Sequence, residues 1–97
     1  MFELRRWWRA RGLDELRRMA LEHWDPLNVY DDPTRATTYD IYLERVGRML
    51  RRGKGSRDLA RYLGAVRTKV YKLDEKEWAD EEFAERVSAW YQLEAPH

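Results

Sequence analysis

The chain has 97 residues, of which 43% are hydrophobic and 13% aromatic, and it contains no cysteine. That length fits one domain, residues 1–97, with apolar mass for a modest core, and the missing thiols exclude disulfides, thiolate metal sites and a cysteine nucleophile. A net charge of +1 weighs against a dedicated polyanion binder, which keeps a basic excess, and no apolar run approaches the ~20 residues of a membrane span.

The first segment, Phe2 to His23, reads as helix. Leu4, Trp8, Leu16, Met19, Ala20 and His23 share one stripe at three-to-four spacing. Gly12 interrupts it, at about 1 kcal/mol relative to alanine. The helix either runs through Gly12 or breaks and restarts with Asp14 and Glu15 in a new first turn, where negative charge is favourable. Trp7 and Trp8 stand about 100° apart on a helix, so both cannot face the core and one belongs at its edge. A tryptophan among Arg5, Arg6 and Arg9 suits a protein interface or a membrane-surface helix, or else packs under arginine stems of its own chain. The first ten residues lack the long apolar stretch of a secretory leader, and the expected location is cytoplasmic.

Pro26 ends the helical pattern near Trp24. A loop of about a dozen residues follows, long for a compact domain. Trp24-Asp25-Pro26-Leu27-Asn28-Val29-Tyr30-Asp31-Asp32-Pro33 is too apolar for a solvated linker. It is expected to fold onto the body, leaving Asp25, Asp31, Asp32 and Asp40 beside an aromatic wall. Asp25 is expected to fold back in an Asx turn. Thr37 is placed as the next helix cap, with Asp40 returning the bond as in a capping box.

Tyr39, Tyr42, Leu43, Val46, Met49 and Leu50 then follow with helical period, opposite Glu44, Arg45, Arg48, Arg51 and Arg52. Gly53-Lys54-Gly55-Ser56 stops this helix and starts another, with Ser56 as N-cap, so the two are antiparallel neighbours. Leu59, Tyr62, Leu63, Val66 and Val70 form the third apolar stripe. Leu73 to Trp78 reads as a short turn or helical start that Asp74 could cap. The last helix is expected from about Asp80 to Gln92, with Phe83, Val87, Trp90 and Tyr91 on one face. Residues 95–97 should fray. With no period-two segment, the fold class is an all-α, single-domain bundle of about four helices with a long packed loop after the first.

Charge is segregated along the chain. Residues 44–73 hold ten basic and two acidic groups, a local +8, and residues 74–97 hold two basic and eight acidic, a local −6. Either the acidic end packs beside the basic middle and offsets it, or the basic middle meets an external polyanion.

Trp24-Asp25-Pro26-Leu27-x-Val29, an acidic stretch, Tyr39-Asp40-x-Tyr42, then Leu50, Leu59 and Tyr62-Leu63 resemble a group of small bacterial all-helical proteins of unknown function. The likeness covers roughly residues 20 to 70. Family members carry isoleucine and glycine where this chain has Leu27 and Asn28. The resemblance implies a helical domain and a bacterial source. It implies no activity and no catalytic residue.

Three functions remain. The first is a non-catalytic module that binds another protein through an acidic aromatic loop surface of Trp24, Asp25, Tyr30, Asp31, Asp32, Tyr39 and Asp40; toxin neutralisation is one version. The second is nucleic-acid binding through Arg45, Arg48, Arg51, Arg52, Lys54, Arg57 and Arg61, which cluster at one helix–helix corner and suit phosphate contacts. The third is a metal-assisted enzyme around His23 and nearby carboxylates, although the spacing matches no known metal loop. Ser56 and Ser88 lack a nucleophile-elbow context, and Gly53-x-Gly55 follows no strand. No cofactor or metal is assigned.

Overall fold

A computed structural model describes residues 2–96. Helix α1 covers residues 2–23, α2 is Asp40–Arg51, α3 covers 56–70 and α4 is Glu77–Glu94, and the described residues contain no strand. A short 3-10 turn, Pro33–Arg35, lies in the loop between α1 and α2. Helices α3 and α4 form the most extensive pair, and the second half of α1 packs on both α2 and α4. The shortest dimension is 18 Å, which admits two helix layers at the usual ~8–10 Å separation.

Gly12 does not break α1. The helix widens over Trp8–Gly12, where the Leu13 N–H reaches back five residues to the Trp8 carbonyl. The reason is phase. From Leu4 to Leu16 an ideal helix advances twelve residues and ends about 120° out of line, and one extra residue in a turn takes up most of that drift. Leu16 and Ala20 thereby return to the side that buries Trp8. Gly12 serves this turn by its size, because a Cβ there would lie 2.9 Å from the rings of both Trp7 and Trp8.

The two adjacent tryptophans divide as their spacing requires. Trp8 is buried, with its ring laid on the backbone of Gly47 in α2, where a Cβ would come within 2.6 Å of it. The Arg51 guanidinium lies 5.5 Å over the same ring. Trp7 sits at the core edge against Trp90 and Tyr91 of α4, at 5.5 and 6.2 Å between ring centres. Neither is an open interface residue.

A second widened turn, Val66–Val70, ends α3, with the Tyr71 N–H bonded to the Val66 carbonyl. It corrects the expected stripe. Val70 turns outward and is exposed, while Arg67 turns into the core. Other expectations shift by a residue or more. Tyr39, not Thr37, stands at the α2 N-cap, and the Thr38 hydroxyl bonds to the Arg35 carbonyl. Gly55 precedes α3 and Ser56 is its first residue. Residues 72–76 form an irregular connection in which Lys72 takes φ +58°, Lys76 rather than Asp74 stands at the N-cap, and α4 begins at Glu77. Ala95 is buried rather than frayed; His97 lies outside the described residues.

The α2–α3 connection closes as a Schellman turn. The Lys54 N–H bonds to the Met49 carbonyl, the Gly53 N–H to that of Leu50, and Gly53 takes φ +82°, a conformation that only glycine adopts cheaply.

Candidate functional site

The loop after α1 is pinned to the body. Trp24 and Val29 are buried, and Tyr39 is 1% exposed. Trp24 stacks on Phe83 of α4 at 5.8 Å with 7° between planes, and meets Tyr39 edge-on at 5.2 Å. Rings contribute apolar area and favour these offset or edge contacts.

Asp25 organises the backbone above those rings. Its Oδ1 accepts the Val29 N–H at 2.9 Å and its Oδ2 the Tyr30 N–H at 3.0 Å. The Tyr39 hydroxyl donates to Oδ1 at 2.6 Å and accepts the Leu27 N–H at 2.9 Å. Burial, and then the Asp25 bond, push the Tyr39 phenol well above its ordinary range. Asp25 thus folds back onto local backbone N–H groups as expected, but four and five residues on rather than the two of an Asx turn, and its bonding extends to a tyrosine fourteen residues on. Asp25 and Asn28 take φ +35° and +56°, which aspartate and asparagine tolerate better than other non-glycine residues. Asn28 thus keeps a backbone that glycine would also accept.

The remaining carboxylates have separate tasks. Asp32 Oδ1 accepts the Thr34 N–H at 3.0 Å and the Thr34 hydroxyl at 2.6 Å. Those bonds hold its carboxyl below the usual range. Asp40 takes a two-point bond from Arg17 of α1, at 2.9 and 2.7 Å, a geometry that fixes orientation as well as charge. Arg17 also bonds to Asp14 at 2.5 Å, and these partners, Asp40 foremost, raise its pKa. The structure thus gives the seven candidates different roles. Trp24 and Tyr39 are core, Asp25, Asp32 and Asp40 hold the loop and the first two helices together, and Tyr30 and Asp31 face solvent, Tyr30 with 64% of its surface exposed.

His23 is not on the buried face, because α1 ends there and Trp24 takes the core position. Its Nε2 lies 3.6 Å from Glu22, and its side chain is partly exposed. No group of three histidine, aspartate or glutamate side chains able to hold a metal ion comes together among the described residues.

The basic corner stays at the surface. Arg45, Arg48, Arg52, Lys54, Arg57 and Arg61 are exposed. Arg45 also covers the Tyr62 ring at 5.5 Å, and Arg61 lies 3.7 Å from Asp58 of its own helix. Arg51 is the exception, half-buried over Trp8.

Sequence reasoning missed the buried pair Arg67 and Asp80, 5% and 2% exposed. Arg67 donates from Nε and Nη2 to the Asp80 carboxylate at 3.0–3.2 Å, and the Trp24 Nε1 donates to Asp80 Oδ1 at 2.8 Å. A signal existed. Asp80 stands three, seven and eleven residues before Phe83, Val87 and Tyr91, on their buried face. An acid in an apolar stripe needs a partner, and the widened turn at the end of α3 supplies one.

The acidic α4 does pack beside the basic α3, as the charge segregation allowed. Among the described residues, Arg67–Asp80 is the ion pair that joins them. An open groove of about 990 Å³, lined by both helices, runs along this pair. No helix among the described residues is long and apolar enough to cross a membrane. No protein-family model, curated protein or solved structure matches the chain.

Proposed function

We propose that this protein is a non-catalytic module that binds another protein through the tip of the α1–α2 loop. The observation that carries the reading is the contrast within that loop. Tyr30 is 64% exposed, yet its own N–H is tied to Asp25, which is tied in turn to Tyr39 in the core. An aromatic ring held out on a fixed backbone loses little freedom on binding, which favours affinity. Asp31 beside it supplies the charge for a basic partner patch. This narrows the recognition surface from seven residues to Tyr30 and Asp31, with the other five as its frame. The bacterial source implied by the Trp24-Asp25-Pro26 and Tyr39-Asp40-x-Tyr42 resemblance, and the cytoplasmic location expected from the N-terminal segment, belong to the same proposal.

The test is affinity capture with the wild type and with Tyr30→Ala/Asp31→Lys, read by quantitative mass spectrometry. Proteins lost with the variant, while its circular dichroism and melting point hold, support the loop surface. An unchanged captured set rejects it.

The second reading, nucleic-acid binding, is favoured by one observation. Arg48, Arg52, Lys54 and Arg57 remain exposed and take part in no ion pair with α4 among the described residues. Fluorescence anisotropy with a generic duplex tests it. Binding that falls steeply between about 50 and 200 mM salt is the expected signature of phosphate contacts, and no binding at low salt removes the reading.

A further inference from the structure

The groove between α3 and α4 has walls of opposite sign. Arg57, Arg61 and Lys69 stand along the α3 side, and Glu77, Glu81 and Glu85 along the α4 side. Among the described residues, none of these six pairs with another across the groove, and the only one in an ion pair is Arg61, with Asp58 of its own helix. The floor between them is small, with Ala60 and Gly64. Opposite charges thus line the two walls without pairing across the groove among the described residues, in a chain whose formal charges nearly cancel.

We propose that this groove is a self-complementary interface, occupied by the same groove of a second copy of the chain. The argument is one of symmetry. A two-fold axis running along the groove exchanges left and right while keeping the direction of the helices, so the α3 wall of one copy faces the α4 wall of its partner on both sides. Such an interface uses one patch twice, as closed homodimers do. An axis across the groove would instead set like charges together, which is unfavourable. The heights also match. The Gly64 Cβ position and Arg67 both approach Asp80, and α3 and α4 run antiparallel from there at about 1.5 Å per residue. Arg61 is therefore level with the stretch between Glu81 and Glu85, and Lys69 with the start of α4 near Glu77.

Two further features favour a partner copy over open solvent. The small floor leaves room for long side chains from both copies to lie in the shared space. Trp78, about 100° round the helix from Glu77, flanks the acidic wall on its outer side with 68% of its surface exposed. An exposed tryptophan at the margin of a charged groove is the aromatic anchor that subunit interfaces favour. The inference is independent of the loop surface, and neither test bears on the other.

The experiment is sedimentation of the full chain over a concentration series, with three proteins. The wild type should reach twice the chain mass of 11.8 kDa, and added salt should lower that fraction. Arg57→Glu/Arg61→Glu, which makes both walls acidic, and Glu81→Arg/Glu85→Arg, which makes both basic, should each weaken dimerisation about a hundredfold and sediment as monomers. Circular dichroism shows whether each folds. Mixing the two variants should restore the dimer, because every wall then meets its opposite. A wild type that stays monomeric at all concentrations overturns the proposal. So does a dimer that survives both reversals, or a pair of folded variants that remain monomeric when mixed. If either variant fails to fold, the wild-type concentration and salt series decides alone, with a salt-insensitive dimer counting against the interface.

Discussion

The Trp24 indole Nε1 donates to Asp80 Oδ1 over 2.8 Å and so joins residues 56 positions apart. The same carboxylate holds the buried Arg67 guanidinium, so one acid fixes the loop, the end of α3 and the start of α4. Asp80→Ala should cost about 3–5 kcal/mol, because it strands a buried charge. That is a large part of the stability of a domain this size. Arg67→Met combined with Asp80→Leu removes both charges and should cost far less, about 1–3 kcal/mol for the Trp24 N–H left without an acceptor. Urea unfolding midpoints for the single and double variants check this. Equal losses in both would show that the stranded charge is not the cause.

Gly47 lets α1 and α2 meet. A Cβ there falls 2.6 Å from the Trp8 ring, whereas one at Gly55 meets nothing within 4 Å. Gly47→Ala should destabilise by about 1–3 kcal/mol through overpacking, and Gly55→Ala should lose no more than about 1 kcal/mol, through the poorer α3 N-cap. Helix propensity does not explain a loss at Gly47, since alanine is the better helix former and would otherwise stabilise α2. Trp8→Leu in the Gly47→Ala background should cost less than the two single losses added, because the substitutions share one contact.

These two relationships mark what the sequence could convey. The helices and the packed loop were legible because apolar residues recur at helical spacing and because Trp24, Leu27 and Val29 are too apolar for a tether. Trp8 on Gly47 was not legible, since a glycine in a helix looks like a weakness until the opposing ring is known. The widened turns at Trp8–Gly12 and Val66–Val70 were also hidden. Each shifts phase by one residue, which moved Val70 out and Arg67 in against a regular wheel. The acidic loop read as a display surface because sequence places carboxylates near rings without showing their partners. Arg17, twenty-three residues before Asp40, and Tyr39, fourteen after Asp25, reach them through folding.

The tyrosines give the native state a high-pH limit. Burial pushes the Tyr71 phenol up to about 12 from an ordinary value of 10.0, with Tyr42 beside it as the next cause. Burial likewise raises Tyr39, Tyr62 and Tyr91. Between the unfolded and folded values the unfolded chain has lost the phenolic proton and the native chain retains it. Stability is therefore fully present below pH 10 and falls as the pH rises toward 12. Absorbance titration should show tyrosines ionising late and together with loss of helix. A native protein in which all six tyrosines titrate near pH 10 with the helices intact would contradict this account.

The loop frame makes a prediction that reaches function. Asn28 holds φ +56°, where glycine is at ease and a β-branched side chain is strained. Asn28→Gly should change stability by only a few tenths of a kcal/mol, while Asn28→Val should lose about 1–2 kcal/mol. If the exposed Tyr30 ring is the partner's contact, the two variants should also separate in binding. The glycine variant keeps the Tyr30 N–H on Asp25 available and should retain its captured partner. The valine variant should bind more weakly even at temperatures where it is fully folded, because the ring loses its fixed backbone. Thermal melts paired with binding measurements separate the cases. Equal binding by both variants would mean that the frame beneath Tyr30 serves stability and not recognition.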